Sequence, residues 1–386
     1  MGHLPSEPGY DTFALDFLET SASGTNDYLS SPMSVFLLLT TLLGSGGTKG
    51  NTKLQIANAV GVYEEKGKQK AASKIFNSIY KNLTEEKASG ENIITIGNGM
   101  FVKEGAKVKE KFVTTMKRNF DSEVANVDFT AQESTRKTIN AWVSNKTNKL
   151  IPELFTKPLS TATILALINT LYFKGKWKKP FSNRSTAVKT FKPSNQPIIK
   201  ISMMHISETI EYGKFEHFNI HMISKPFTNA RFTFVVILPT EPGRLEYPDK
   251  VLRGEIELPE LMKQLQQTQV TLGLPRFKLD TSLDLVGTIK SMGVTDLFDP
   301  KRADLSGITK AKISADVLKQ SASIKVNEEG VEAAAATVLS ISLTSVRNQK
   351  PIPFNVNESF VCFIYDKVLN TPLFAGRVIT PVALKD

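Results

Sequence analysis

Phe13 and Phe17 sit four apart, the spacing of one helical face. Ser31-Pro32-Met33-Ser34 then opens an apolar stretch that stops at Gly44-Ser45-Gly46-Gly47. Proline just inside the start and glycine just past the end predict a helix between them. Residues 69–84 place Ala72, Ile75, Phe76, Ile79 and Leu83 on one face of a further helix. The first third of the chain therefore reads as helical. From about residue 162 the pattern changes. Ile164 to Ile168 is a continuous apolar run, as in a strand buried on both faces. Phe232 to Leu238 ends at Pro239, Val270 to Leu274 alternates and ends at Pro275, and 360–365 and 373–378 repeat the theme. Helices followed by strands predict an α+β fold rather than alternating βαβ units.

Length leaves that picture unchanged. A chain of 386 residues suggests two or three domains as a soft prior, yet no Pro/Gly/Ser-rich linker and no charge block divides it, so one domain over 1–386 is expected. The balance is basic, 48 Lys and Arg against 38 Asp and Glu, which favours polyanionic surfaces but fixes no fold. The single cysteine, Cys362, lies in the apolar run Phe360-Val-Cys-Phe-Ile-Tyr365, where a thiol packs as a small hydrophobe and no intrachain disulfide can form. The start, MGHLPSEPGY, lacks an apolar core, so no secretory signal is expected in it, and Gly2 with Ser6 fits a myristoylation pattern only formally. The location therefore stays open between cytoplasm and export. Four glycosylation sequons begin at Asn82, Asn145, Asn183 and Asn357 and matter only in an exported chain. The apolar runs near 35–43 and 162–173 are too short to span a bilayer as helices.

Enzyme chemistry finds little to stand on. The histidines are His3, His205, His217 and His221, and the last pair has no HExxH pattern or cysteine beside it. Gly44 to Gly50 fails the spacing of a phosphate loop, and neither a GxSxG elbow nor a dinucleotide fingerprint occurs. No catalytic residue, metal or cofactor is expected.

Residues 327–344 are different. An alanine-rich run is by propensity a helix, but here Val331, Ala333, Ala335, Thr337, Leu339 and Ile341 fall on one face of an extended chain. Glu332, Ala334, Ala336, Val338, Ser340 and Ser342 fall on the other. Such a segment can stand exposed in one state and enter a sheet in another, with Gly330 as a permissive pivot and alanines that lose little side-chain entropy.

Asn327-Glu-Glu-Gly-Val-Glu-Ala-Ala-Ala-Ala-Thr337 resembles the hinge of the serpin reactive loop. Asn169-Thr-Leu-Tyr-Phe-Lys-Gly-Lys-Trp177-Lys-Lys-Pro-Phe181, Leu274-Pro-Arg-Phe-Lys278, Met292-Gly-Val-Thr-Asp-Leu-Phe298, Ala303-Asp-Leu-Ser-Gly307 and Phe374-Ala-Gly-Arg-Val378 with Pro381 are similar to other serpin signatures. Ser31 to Ser34, Ile139 to Val143, and Phe191 with Met203-Met204 add earlier anchors, so the match runs in order from about residue 12 to 381.

The resemblance implies eight or nine helices around three β-sheets, an exposed loop at about 328–350, and a monomer that inhibits serine proteases. A protease cuts the loop, forms an acyl-enzyme, and is trapped when the freed loop inserts into the central sheet. The hinge would be Gly330, Val331, Glu332, Ala333, Ala334, Ala335, Ala336 and Thr337. At the sheet's opening end Trp177 should pack and Glu328 should pair with Arg276. Ser31, Ser34 and Asn169 resemble the cluster that gates strand opening, with Gln320 where serpins often carry histidine; that exchange keeps hydrogen bonding and removes titration. Asn357-Glu-Ser-Phe360 departs from the usual Asp-His-Pro-Phe. Counting from the hinge glycine puts the reactive bond at Thr344–Ser345, suiting elastase-like or chymotrypsin-like enzymes, with Leu343 as a close second. Arg347 would instead make a trypsin-class inhibitor, and a non-inhibitory chaperone or carrier is the reading from a different class. Lys66, Lys70, Lys74 and Lys81 form a candidate site for heparin or another glycosaminoglycan, against the plainer reading of a solvated face. No nucleic-acid partner is expected.

Overall fold

The computed structural model describes residues 9–64, 66–84, 92–331 and 350–384. Glu332, Ala333, Ala334, Ala335, Ala336, Thr337, Leu343, Thr344, Ser345 and Arg347 lie outside the described residues. Nine α-helices are present among those described: α1 (Tyr10–Ser21), α2 (Pro32–Gly44), α3 (Gly50–Ala59), α4 (Lys68–Thr84), α5 (Glu110–Phe120), α6 (Gln132–Lys146), α7 (Glu246–Leu252), α8 (Leu258–Lys263) and α9 (Val286–Ser291). The predicted start of α2 is where Ser31 caps it, its hydroxyl accepting from the Ser34 N–H at 3.2 Å with Pro32 as first helical residue. Every residue of α2 is buried. Phe13 and Phe17 of α1 are buried too, Phe13 meeting Phe36 of α2 edge-on at 5.3 Å.

A seven-stranded sheet runs β16-β10-β11-β12-β4-β2-β3. Its strands are β2 (Asn92–Lys103), β3 (Glu123–Val127), β4 (Leu165–Lys176), β10 (Phe277–Asp284), β11 (Val317–Val326), β12 (Gly330–Val331) and β16 (Val382–Ala383). A nine-stranded sheet runs β1-β15-β14-β8-β7-β6-β9-β13, with β5 also on β6. It holds β1 (Tyr28–Ser30), β5 (Thr186–Phe191), β6 (Ile199–Phe215), β7 (Ile220–Pro226), β8 (Phe232–Pro239), β9 (Gln266–Pro275), β13 (Ile352–Asn355), β14 (Phe360–Asp366) and β15 (Thr371–Val378).

The long strand β6 explains why two of the three expected sheets join. Its first part pairs with β5, its middle with β9, and its last residues, Glu211 to Phe215, with β7. The helical reading of the first third needs one correction, because β1, β2 and β3 lie within it. Gly97-Asn98-Gly99 interrupts the apolar pattern of β2, and glycine is a poor strand former. The sheet tolerates it because there is no room: a Cβ on Gly97 would come 2.5 Å from the Thr170 hydroxyl, and one on Gly99 2.9 Å from the Trp142 ring.

Candidate functional site: the opening end of the central sheet

Strands β4 and β11 lie parallel and pair directly from Ala166 with Val317 to Leu171 with Ala322. Towards one end they part, and β12 occupies the wedge between them. Gly330 pairs with Lys176 and Val331 with Gly175 on one side, while Val331 pairs with Val326 on the other. Val331 is fully buried. The turn into β12 is held by Asn327, whose side-chain oxygen accepts from the N–H groups of Glu329 and Gly330 at 3.0 and 3.1 Å. Gly330 is required by close approach, since a Cβ there would stand 2.0 Å from the Gly175 carbonyl oxygen.

Trp177 and Phe181 hold this turn from the side. The Trp177 and Phe181 backbone N–H groups donate to the carbonyls of Glu329 and Glu328, each at 2.8 Å. The Trp177 indole N–H donates to the Asn327 carbonyl at 2.9 Å. Its ring stacks on Phe227 at 4.8 Å with planes 5° apart. The Glu328 carboxylate accepts from the Thr186 hydroxyl at 2.8 Å and pairs with the Arg276 guanidinium at 3.3 Å. Their side chains are 10% and 22% exposed, so this pair is shielded beyond an ordinary surface ion pair.

Further down, one buried network ties α2 to four strands, β1, β2, β4 and β11. Gln320 of β11 and Asn169 of β4 are register partners. The Gln320 amide nitrogen lies 2.8 Å from the Asn169 side-chain oxygen, 2.9 Å from the Ser34 hydroxyl and 2.9 Å from the Ser31 carbonyl. Its oxygen accepts from the Ser31 N–H at 3.0 Å and from the Ser30 hydroxyl. Asn169 donates onward to Asn98 of β2 at 2.8 Å and to the Ser34 carbonyl at 3.0 Å. Every member is buried. Separating β4 from β11 must break the Gln320–Asn169 contact. Removing an amide from such a network leaves buried partners unsatisfied. Gln320→Ala is therefore expected to lower stability by about 2–4 kcal/mol, read by chemical denaturation; a loss under about 0.5 kcal/mol would contradict this account.

The sequence did not single out Ser30, Asn98 or Thr186. The signal for Asn98 was a polar residue between two glycines in an otherwise apolar run.

The lysines of α4 divide by face. Lys68 turns inward, donating to the Val62 carbonyl at 3.3 Å, while Lys70, Lys74 and Lys81 are exposed. Lys66, Lys70 and Lys74 line a shallow cleft of about 510 Å³ with Glu64. Lys81 does not line it. Lys70 also borders a neighbouring cleft of about 790 Å³ together with Lys49, Lys109 and Lys111, which sequence reasoning missed because they come from separate segments.

His217 lies in the short 3-10 turn Glu216–Phe218. His221 stands 4.7 Å from the Phe354 ring on β13, and burial, with Lys214 nearby, pushes its pKa down to about 4. Among the described residues no three His, Cys, Asp or Glu side chains come together as a metal site. Cys362 is buried in β14, and burial pushes its thiol up, away from the reactive thiolate.

The family model described as "Serpin (serine protease inhibitor)" matches residues 8–381. Human Serpin B3 is 31% identical over 381 residues, covering 95% of this chain and 96% of its own length. The solved structure of a serpin from Schistosoma mansoni superposes with TM-score 0.86 at 34% identity, covering 96% of this chain and 100% of its own. Native protease nexin-1 with heparin superposes with TM-score 0.80 at 27% identity, covering 97% and 98%. With the family model over nearly its whole length and a two-residue strand wedged into the mouth of its central sheet, the chain belongs to the serpin family.

Proposed function

We propose that this chain is a suicide-substrate inhibitor of serine proteases that traps the acyl-enzyme by extending β12 through the central sheet. The attacking serine hydroxyl of the protease adds to the carbonyl of the reactive residue. An ester forms, and the amine of the next residue leaves. The freed loop then has an edge to enter. The supporting observation is the register of β12, which is antiparallel to both its neighbours. Moving down β4 from Lys176 to Leu165 carries the loop from Gly330 to Ile341. Moving down β11 from Val326 to Val317 carries it from Val331 to Ser340. A slot of that length suits the stretch whose sequence alternates, and little more.

That register favours Thr344–Ser345 as the reactive bond, just past the end of the slot, with Leu343 the neighbouring choice. A Thr or Leu there suits elastase-like or chymotrypsin-like pockets. Arg347 requires three further residues of loop beyond the slot. Mass spectrometry of the C-terminal peptide released by the trapped protease tests this. A peptide beginning at Ser345 or Thr344 is expected, and one beginning at Asn348 would assign a trypsin-class target instead.

A second reading concerns polyanions. Lys66, Lys70 and Lys74 share one cleft, the neighbouring cleft adds Lys49, Lys109 and Lys111, and the similar protease nexin-1 was solved with heparin. Lys81 would contribute only to a ligand long enough to follow α4. Reversing Lys70 and Lys74 to Glu should lower the salt concentration that elutes the protein from heparin and flatten the salt dependence of binding. Unchanged elution would leave the lysines as a solvated face.

A further inference from the structure

Lys225 of β7 is among the most deeply buried side chains in the molecule, 1% exposed. Its ammonium makes an ion pair with Glu208 of β6, which is 6% exposed, and donates to the Lys179 carbonyl at 2.9 Å. It also stands 4.7 Å from the centre of the Phe181 ring and 5.4 Å from that of Trp177. Desolvation pulls its pKa down, and the Glu208 carboxylate pulls the other way.

Stability alone does not account for such a pair. Taking two charges out of water costs several kcal/mol per ion, and replacing both by apolar groups is often neutral or stabilising. What distinguishes this cation is where its contacts converge. The Lys179 carbonyl and the rings of Trp177 and Phe181 all belong to one short segment that follows β4. The backbone N–H groups of Trp177 and Phe181 are the donors that hold the Glu329 and Glu328 carbonyls at the root of β12. The same segment is tied to the end of β7 next to Lys225, where the Lys178 N–H donates to the Pro226 carbonyl at 3.0 Å.

We propose that Lys225 is a positioning residue for loop insertion: its buried ammonium, balanced by Glu208, fixes the 177–181 segment, which in turn fixes the root from which β12 lengthens. The proposal rests on the inhibitory reading given above. Insertion competes with hydrolysis of the acyl-enzyme, so a slack root delays the first ladder pairs below Val331. More protease then escapes with the loop merely cut.

The test uses the full-length chain and the double variant Lys225→Met/Glu208→Met, which removes both charges and keeps side-chain bulk. Its melting temperature should be equal to or above that of the unaltered protein, as expected for replacement of a buried ion pair. Amide hydrogen exchange across 177–181 should nonetheless accelerate about ten-fold, while the body of β4, 165–174, exchanges as before. On reaction with its target protease, the share of chain released cut but uncomplexed should rise several-fold. Unchanged exchange across 177–181 overturns the proposal, and so does faster exchange with an unchanged share of cut product. Lys225→Arg keeps a cation at this position and carries the test if the double variant does not fold. It should exchange like the unaltered protein, and a roughly ten-fold acceleration in it overturns the role given to the charge. If the unaltered chain traps no protease, the inhibitory reading falls, and the exchange measurements still decide whether Lys225 holds the root.

Discussion

Cutting the loop with a protease that is not captured is expected to raise the melting temperature of the remaining molecule by about 5–10 °C. The freed segment can then fill the slot between β4 and β11. It gains about twelve ladder bonds at roughly 0.5–1.5 kcal/mol net each, on the order of 6–18 kcal/mol, and loss of the direct β4–β11 pairing from Ala166–Val317 to Leu171–Ala322 offsets about half of this. For a chain of 386 residues the unfolding entropy near the midpoint is about 0.8 kcal/mol per degree, which converts the remaining gain to the stated shift. Thermal unfolding before and after limited cleavage reads it directly. An unchanged or lowered midpoint means the loop does not enter the sheet.

Gly330→Ala should turn inhibition largely into substrate behaviour. The added Cβ would meet the Gly175 carbonyl oxygen at 2.0 Å and the Lys176 Cα at 2.8 Å, both backbone atoms of a strand paired on its other side with β2. Neither can yield cheaply. Overpacking of this kind costs about 1–3 kcal/mol, which is a roughly five- to 150-fold shift in the partition between trapping and turnover. The readout is the number of inhibitor molecules consumed per protease inactivated. A ratio within about two-fold of the unaltered protein would show that the root of β12 is not where insertion begins.

Much of this site was legible in the sequence because its parts are local signatures. Ser31 and Pro32 announced the start of α2, and Gly330 and Val331, where the alternating stretch begins, form the short strand β12 with Val331 buried, while the rest of that stretch lies outside the described residues. The pairing of Glu328 with Arg276 and the grouping of Ser31, Ser34, Asn169 and Gln320 followed from the family resemblance, and the structure brings those side chains together. Gln320 supplies both a donor and an acceptor to the network, as its substitution for histidine implied. What stayed hidden depends on distant partners. A lysine between Ser224 and Pro226 reads as a surface charge until β6 brings Glu208 against it and the segment after β4 lays two aromatic rings over it. Strand β2 was hidden for the opposite reason, since its glycines suit only the tight packing against Thr170 and Trp142. The joining of two sheets by β6 arises from a strand long enough to change partners along its length, which periodicity does not reveal.

The proposed inhibition stands or falls on covalent capture of a serine protease by the inserting loop. Incubation with elastase-like, chymotrypsin-like and trypsin-like enzymes, followed by denaturing gel electrophoresis, tests it most directly. With an elastase-like or chymotrypsin-like enzyme, a band is expected that survives denaturation at the combined mass of protease and chain, less the released C-terminal peptide. Cleavage of the loop by all three classes with no such band would contradict covalent capture and leave the chain as a non-inhibitory serpin.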